Sequence, residues 1–468
     1  MKRSGIAFIL TFLLMPCLLS QTRWLIESGG KIIWTVKENE SHTDNIEMSG
    51  KHISVIATYG VDDKGGLVFS KQLVFPMLRT IPNDTHASLI YTFGFDVAPL
   101  IKINNRIPAE SVKSFSIKGL LEVVSTVNDN IIITRELFPS TDKPAAVEKF
   151  TIENLSSREI TVDVENFEKI SRSHRERSLY DIYEIRAATV GSGIFALKPQ
   201  QKMSFAVIYT GKKASDPMPE INPEKELAQR KSLVDQILST LEFKSPDQVL
   251  NRMFEFAKIR AMESIFETRG GLVHSPGGGR YYAAIWANDQ AEYANPLFAY
   301  SGYNTAIEAG MVSWRWFSKY MNPDYKPIPS SIIAEGTDFW NGAGDRGDQA
   351  MIAYGASRFA LALGDRNTAE EIWPLIEWCI EYCRRKLTPD GVVASDSDEL
   401  EGRFPAGSAN LSTSCLFYDA LVSASYLGRN LGKPASLTKK YMKMADDLRI
   451  NIEKYFGATV EGFNTYRY

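Results

Sequence analysis

The feature that most constrains this chain is a change of hydrophobic period part-way along it. Before about residue 215, apolar and polar residues alternate; Ile160, Val162 and Val164 are interleaved with Thr161, Asp163 and Glu165. Period two puts one face of a strand in a core and the other in water. Segments 31–36, 52–59, 67–75 and 89–93 are rich in β-branched and aromatic residues, with Gly, Asn and Asp clustered between them. Many short strands with no helical pattern between them predict an antiparallel β-sandwich over 21–215. From Ser245 the spacing is helical: Leu250, Met253, Phe254, Ala257, Ala261 and Ile265 recur on one face. Ser245, Pro246 and Gln248 read as N-cap, first and third helical positions. Between the two regimes, Pro217, Pro219 and Pro223 end the sheet pattern, and Leu227, Leu233, Ile237 and Leu241 predict a linker helix within 216–245. A length of 468 residues leaves room for two cores.

Over 246–468 further helices are expected near 290–300, 303–320, 347–363, 367–387, 410–430 and 435–456. The loops 269–288, 321–346 and 388–409 are long, and long loops on a regular scaffold carry function. Alternating short and long connections fit helical hairpins stacked about an axis, an (α/α)6-type barrel. A closed barrel of this kind takes about twelve helices, and about seven are legible. The helical domain therefore reads as an incomplete, truncated barrel.

Residues 1–20 read as a secretory signal peptide. Lys2 and Arg3 precede the apolar run Ile6–Leu19, which is too short for a membrane span, and Ser20 offers a small residue for cleavage. The mature chain keeps Cys379, Cys383 and Cys415, which form no disulfide framework and, with His scarce, no metal site. Export without disulfides fits a bacterial periplasm or cell surface. A net charge of -3 offers nothing to a phosphate backbone, which argues against nucleic acid. Gly277-Gly278-Gly279 lacks the Lys-Ser/Thr of a phosphate loop.

The three long loops concentrate polar and aromatic groups. The first holds Tyr281, Tyr282, Trp286, Asp289 and Glu292; the second Glu335, Trp340, Asp345, Arg346 and Asp348; the third Asp396, Asp398, Glu399, Glu401 and Arg403. Carboxylates and Arg bind vicinal hydroxyls, and indole rings stack on pyranose faces. Cleaving a glycosidic bond takes two carboxyl groups, one with a raised pKa to protonate the leaving oxygen. Crowding in the run 396–401 would raise one of its members. Simpler roles compete: Asp289, Asp345 and Asp348 could cap helices, Trp286 could pack in the core, and an acidic run could merely face water.

The order of these motifs resembles a known family. Trp286-Ala-Asn-Asp289 is similar to the Trp-x-x-Asp segment of glucoamylase-like enzymes. Asp345-Arg346-Gly347-Asp348-Gln349 resembles the second pocket segment of that family. Asp398-Glu399-Leu400-Glu401 resembles the segment that bears its general acid. Arg135-Glu136-Leu137-Phe138-Pro139-Ser140 is similar to the sandwich that precedes such barrels. Together they look like the six-hairpin glycosidase superfamily. Asn288 stands where glucoamylases carry Arg, which speaks against starch-type specificity. The resemblance implies an exported glycoside hydrolase acting on oligosaccharide or polysaccharide ends, inverting and without cofactor. Glu399 or Glu401 would be the acid. Trp286, Asp289, Trp340, Asp345, Arg346, Asp348, Arg403 and Tyr282 would hold the sugar, and the base would lie beyond Tyr468. Two rival readings are a polysaccharide lyase using Tyr281, Tyr282 or His274 as base, and a non-catalytic glycan-binding protein.

Overall fold

The computed structural model describes residues 23–94, 97–342, 344–400, 403 and 407–467. The expected leader and Glu401 lie outside the described residues.

The alternating segments form two facing antiparallel sheets. The larger has nine strands. In spatial order it begins Trp24–Ile26, Ile32–Thr35, Ser111–Ile117, Leu121–Val127 and Ile131–Pro139, and continues Ala145–Asn154, Lys202–Lys213, Tyr183–Val190 and Glu168–Arg172. The smaller has His42–Gly50, Ile53–Val61, Leu67–Arg79 and Ser88–Phe93. Trp34, Phe115, Val123, Ile133 and Phe150 of one sheet share a core with Ile53, Val55, Leu73 and Phe75 of the other. Ile160, Val162 and Val164 are buried as the alternation predicts, on a three-stranded side sheet.

The linker holds α1 (Pro223–Leu238), capped by Asn222, whose side chain accepts the Lys225 N–H at 3.0 Å. The helices that follow are α2 (Gln248–Glu263), α3 (Asn295–Tyr300), α4 (Asn304–Ser318), α5 (Asp348–Leu363), α6 (Arg366–Arg385), α7 (Leu411–Asn430) and α8 (Ala435–Phe456). Their order and spans follow the sequence expectation closely. The α5–α8 run packs in sequence order, α5 on α6 and α7 and α7 on α8, around Trp314, Phe359, Trp373 and Phe417. Trp314 and Trp316 are core residues, as are Cys379 and Cys383.

Two expectations about α2 need correcting. Its N-cap is Asp247, whose carboxylate accepts the Val249 N–H at 2.8 Å; Ser245 instead accepts the Asp247 N–H. Its apolar stripe is not the buried face. Leu250 and Met253 are 43% and 61% exposed, whereas Lys258, Ile259, Met262 and Glu263 are buried. The reason is charge: Glu263 pairs with Arg230 of the linker helix α1, and Arg260 pairs with Glu47 of the sandwich at 3.0 Å. Ionic contact between domains, not hydrophobicity alone, sets the rotation of this helix.

The long loops are also less irregular than expected. Ile285–Trp286, Ser331–Ile333 and Asp338–Trp340 form a small antiparallel sheet. Among the described residues no helix is long and apolar enough to cross a membrane.

Candidate active site

The second and third loops are laced to each other through Asp345 and Asp396. The Asp345 N–H donates to Asp396 Oδ2 at 2.9 Å, and the Asp396 N–H donates back to the Asp345 carbonyl at 2.8 Å. Asp345 itself is buried, with Oδ1 accepting the Gly347 N–H at 2.9 Å and Oδ2 accepting the Tyr382 hydroxyl at 2.6 Å. Both oxygens accept bonds from within the protein, so Asp345 organises the loop. Gly347 (φ +85°) turns the chain into α5, and a Cβ there would collide with Thr413.

That turn brings Arg346 against Asp348, the first residue of α5. Arg346 Nη2 donates to Asp348 Oδ1 at 2.9 Å, and the Arg346 N–H donates to Oδ2 at 3.2 Å. Both side chains are about 1% exposed. Burial pushes Asp348 up to about 6, against the opposing pull of the Arg346 charge.

The first loop enters a π-helix, Asp289–Ala294, that runs directly into α3. Such wide turns are uncommon and collect at functional sites. Asp289 is not the cap; Asn288 holds that position, without a side-chain bond. Asp289 takes up a proton more readily than usual because of burial, reinforced by the Glu399 charge and opposed by that of Arg346. Three residues on, Glu292 meets Glu399 of the third loop, carboxyl to carboxyl. Burial, the hydrogen bond to Glu399 and the charge of Glu399 all raise the proton affinity of Glu292 well above the ordinary range. Two half-buried carboxyls in hydrogen-bonding contact favour one shared proton, because two acceptors alone repel. Glu399 Oε2 is an enclosed atom with no hydrogen-bond partner among the described residues. Within the acidic run the roles separate. Asp396 ties the loops, Asp398 Oδ1 accepts the Leu400 N–H at 2.9 Å, and Glu399 reaches the cluster.

Sequence reasoning missed Glu292 as a partner of the acid. A usable signal was present, since Asp289 and Glu292 lie within one turn at a loop-to-helix junction. Arg403 is exposed, and its one hydrogen bond among the described residues is from its backbone N–H to the Leu400 carbonyl at 3.1 Å. No contact brings it to the cluster.

The aromatic groups divide between two places. Trp286 and Trp340 both stand opposite Ser331, from either side of the central strand. Directly opposed residues share a face, so the two indoles flank one sheet face. Trp286 is half-buried with its ring edge-on to Tyr281 at 5.1 Å, and Trp340 is 42% exposed. Tyr281 in turn meets His86 of the sandwich at 4.9 Å. Tyr282 is elsewhere: fully buried, it donates to Glu47 at 3.0 Å and accepts the Gly279 N–H at 2.7 Å. It is an interdomain bond, not the sugar contact expected. Gly278 donates to the same Glu47 carboxylate at 2.9 Å, so a carboxylate fills the glycine turn. His274 is half-buried and pushed down to about 4, chiefly by desolvation. Glu335, with φ +61°, accepts the Tyr180 hydroxyl at 2.6 Å and lies 3.7 Å from buried Arg79, which makes it a domain clamp.

A polar cavity of about 350 Å³ lies between the sandwich and α1–α2, lined by Lys51, Gln229 and Gln236. It is away from these carboxylates. The crowding of like charges points to the site better than cavity size does. Among the described residues no cluster of His, Cys, Asp and Glu has the arrangement of a metal site.

No family model matches the chain, and no curated protein matches it. Solved structures do. A protein described as "Putative kojibiose phosphorylase from human microbiome" superposes over 95% of this chain and 72% of its own, with TM-score 0.52 at 9% identity. A bacterial glucoamylase complexed with acarbose aligns over 93% of this chain and 73% of its own, with TM-score 0.42 at 10% identity, too distant to add to the first. The chain shares its fold, a β-sandwich followed by helical hairpins, with the first of these structures.

Proposed function

We propose that this chain is a carbohydrate-active enzyme that breaks a glycosidic bond by proton transfer from the Glu292–Glu399 pair. The observation that carries the reading is the carboxyl-to-carboxyl contact of Glu292 with Glu399, set beside Asp289 and the Arg346–Asp348 ion pair. The fold it shares with a phosphorylase named for kojibiose supports a saccharide substrate. A carboxyl that still holds its proton at neutral pH can protonate a leaving glycosidic oxygen as the C–O bond breaks. Glu292, whose proton affinity is raised, carries the proton of the pair, and Glu399, on the loop that resembles the acid-bearing segment, passes it to the leaving oxygen. Asp289 accepts hydroxyl protons of the bound sugar, Arg346 and Asp348 fix the rim, and Trp286 and Trp340 offer apolar faces to the pyranose.

The attacking group is water or phosphate. Hydrolysis needs a base to deprotonate water; phosphate is already an anion and needs none. Both reactions use the same donor. Assays on α- and β-linked disaccharides and aryl glycosides, with and without inorganic phosphate, separate them. Free sugar without phosphate means a hydrolase; sugar phosphate formed only with phosphate means a phosphorylase. Glu399→Gln should abolish either, and Glu401→Gln should not. Loss of activity in Glu401→Gln alone would move the acid to Glu401. The lyase reading loses support because one of its three candidate bases, Tyr282, is enclosed by protein. For the mature enzyme we propose export after removal of residues 1–20, supported by the basic and apolar pattern of the leader. The mass of the secreted protein tests that.

A further inference from the structure

The inner face of the sandwich breaks its own alternation at one end. Strand Ile131–Pro139 buries Ile131, Ile133 and Leu137, and Arg135 stands in the same inward row. Lys71 lies inward between Phe69 and Leu73, and Glu148 between Ala146 and Phe150. Charges at positions that the pattern reserves for apolar residues are costly, and packed hydrophobic residues would serve the core as well. These charges line a cavity of about 530 Å³ between the sheets.

The groups there are paired but not exhausted. Lys71 Nζ donates to Glu148 Oε2 at 2.5 Å, and the Tyr209 hydroxyl donates to that same oxygen at 2.8 Å. Both side chains of the ion pair are about 3% exposed. The two bonds fall on one oxygen, and among the described residues Oε1 receives no donor. Arg135 grips Glu110 through Nη1 and Nη2, each at 2.7 Å, which leaves its Nε as a further donor. Phe69, Pro99, Leu100, Ile101, Ile107 and Phe150 form the walls.

We propose that this cavity is a second saccharide site, for an uncharged mono- or disaccharide, separate from the carboxylate cluster. The four charged groups sum to zero. A charged ligand would leave one charge buried without a partner, whereas a sugar adds none. A hydroxyl can donate to Glu148 Oε1 and accept from Arg135, and the C–H face of the ring can lie on the apolar walls. The volume falls in the range of small-ligand pockets, about 300–1,000 Å³. The inference goes beyond the catalytic reading and does not depend on it, because it is tested by binding alone.

The test is calorimetric titration of the full chain with glucose, galactose, N-acetylglucosamine, maltose and cellobiose, with glucuronate and glucosamine as charged counterparts. At least one neutral sugar should bind, and bind at least about tenfold more tightly than either charged analogue. That affinity should fall about tenfold in Glu148→Gln and in Ile107→Trp, and hold in Glu399→Gln. Ile107 is 69% exposed at the mouth, so its replacement narrows the entrance without disturbing the core, should Glu148→Gln fail to fold. The proposal is overturned if no neutral sugar binds, if Ile107→Trp changes the affinity less than twofold, if a charged analogue binds more tightly, or if Glu399→Gln removes the binding.

Discussion

The two domains handle buried charge in opposite ways. In the sandwich each inward charge has an opposite partner: Lys71 with Glu148, and Arg135 with Glu110. In the helical domain Asp289, Glu292 and Glu399 crowd together, with Arg346 as the cation that acts on them. A compensated pair is held by both its members, so removing one strands the other. A crowd of like charges stores proton affinity, so removing one member relieves strain and loses chemistry. The contrast predicts that equally conservative changes in the two domains will fail differently, one in stability and one in turnover.

The sharpest test is Glu399→Gln. It should lower kcat by about 10²–10⁴, the usual share of a general acid, with thermal unfolding unchanged or slightly raised. If unfolding drops instead, the cluster is structural and the contrast fails. Lys71→Met in the sandwich should do the reverse. It strands a buried carboxylate and should cost about 3–5 kcal/mol by denaturant titration, while kcat per folded molecule holds.

Glu292→Gln refines the comparison through pH. A general acid works only while protonated, so activity of the wild type should fall as pH rises through the pair's raised pKa. Glu292→Gln removes the group whose proton affinity is raised, so the alkaline limb of kcat/KM should move to lower pH. Stability has the same sign. A carboxyl whose folded pKa is raised gives stability that is complete below its unfolded value and is lost as pH rises through the folded value. Wild type should therefore lose stability on the alkaline side, and Glu292→Gln should flatten that loss; equal slopes in urea titrations across the range would contradict it. The smallest effect belongs to Trp340→Ala. Loss of one stacking face, about 0.5–1.5 kcal/mol, should raise KM severalfold and leave kcat alone. An unchanged KM would remove Trp340 from the sugar.

Much of the architecture is written locally. Period two over Ile160–Val164 and helical spacing in α4 to α8 are properties of single elements, so the sequence alone predicts a sandwich followed by helical hairpins. The concentration of polar groups in three loops is equally local, and so is the candidacy of Asp289, Arg346, Asp348 and Glu399. Tertiary structure decided which of those groups meet. Tyr282 and Asp345 have the right chemistry, yet the domain interface takes one and the loop lacing takes the other. Glu292 became the partner of Glu399 only because the π-helix and the third loop converge. The buried face of α2 was settled by Glu47 and Arg230, residues outside that helix. Periodicity reports how an element meets water. Which carboxyl shares a proton with which depends on atoms brought together from distant parts of the chain, and no local pattern encodes that distance.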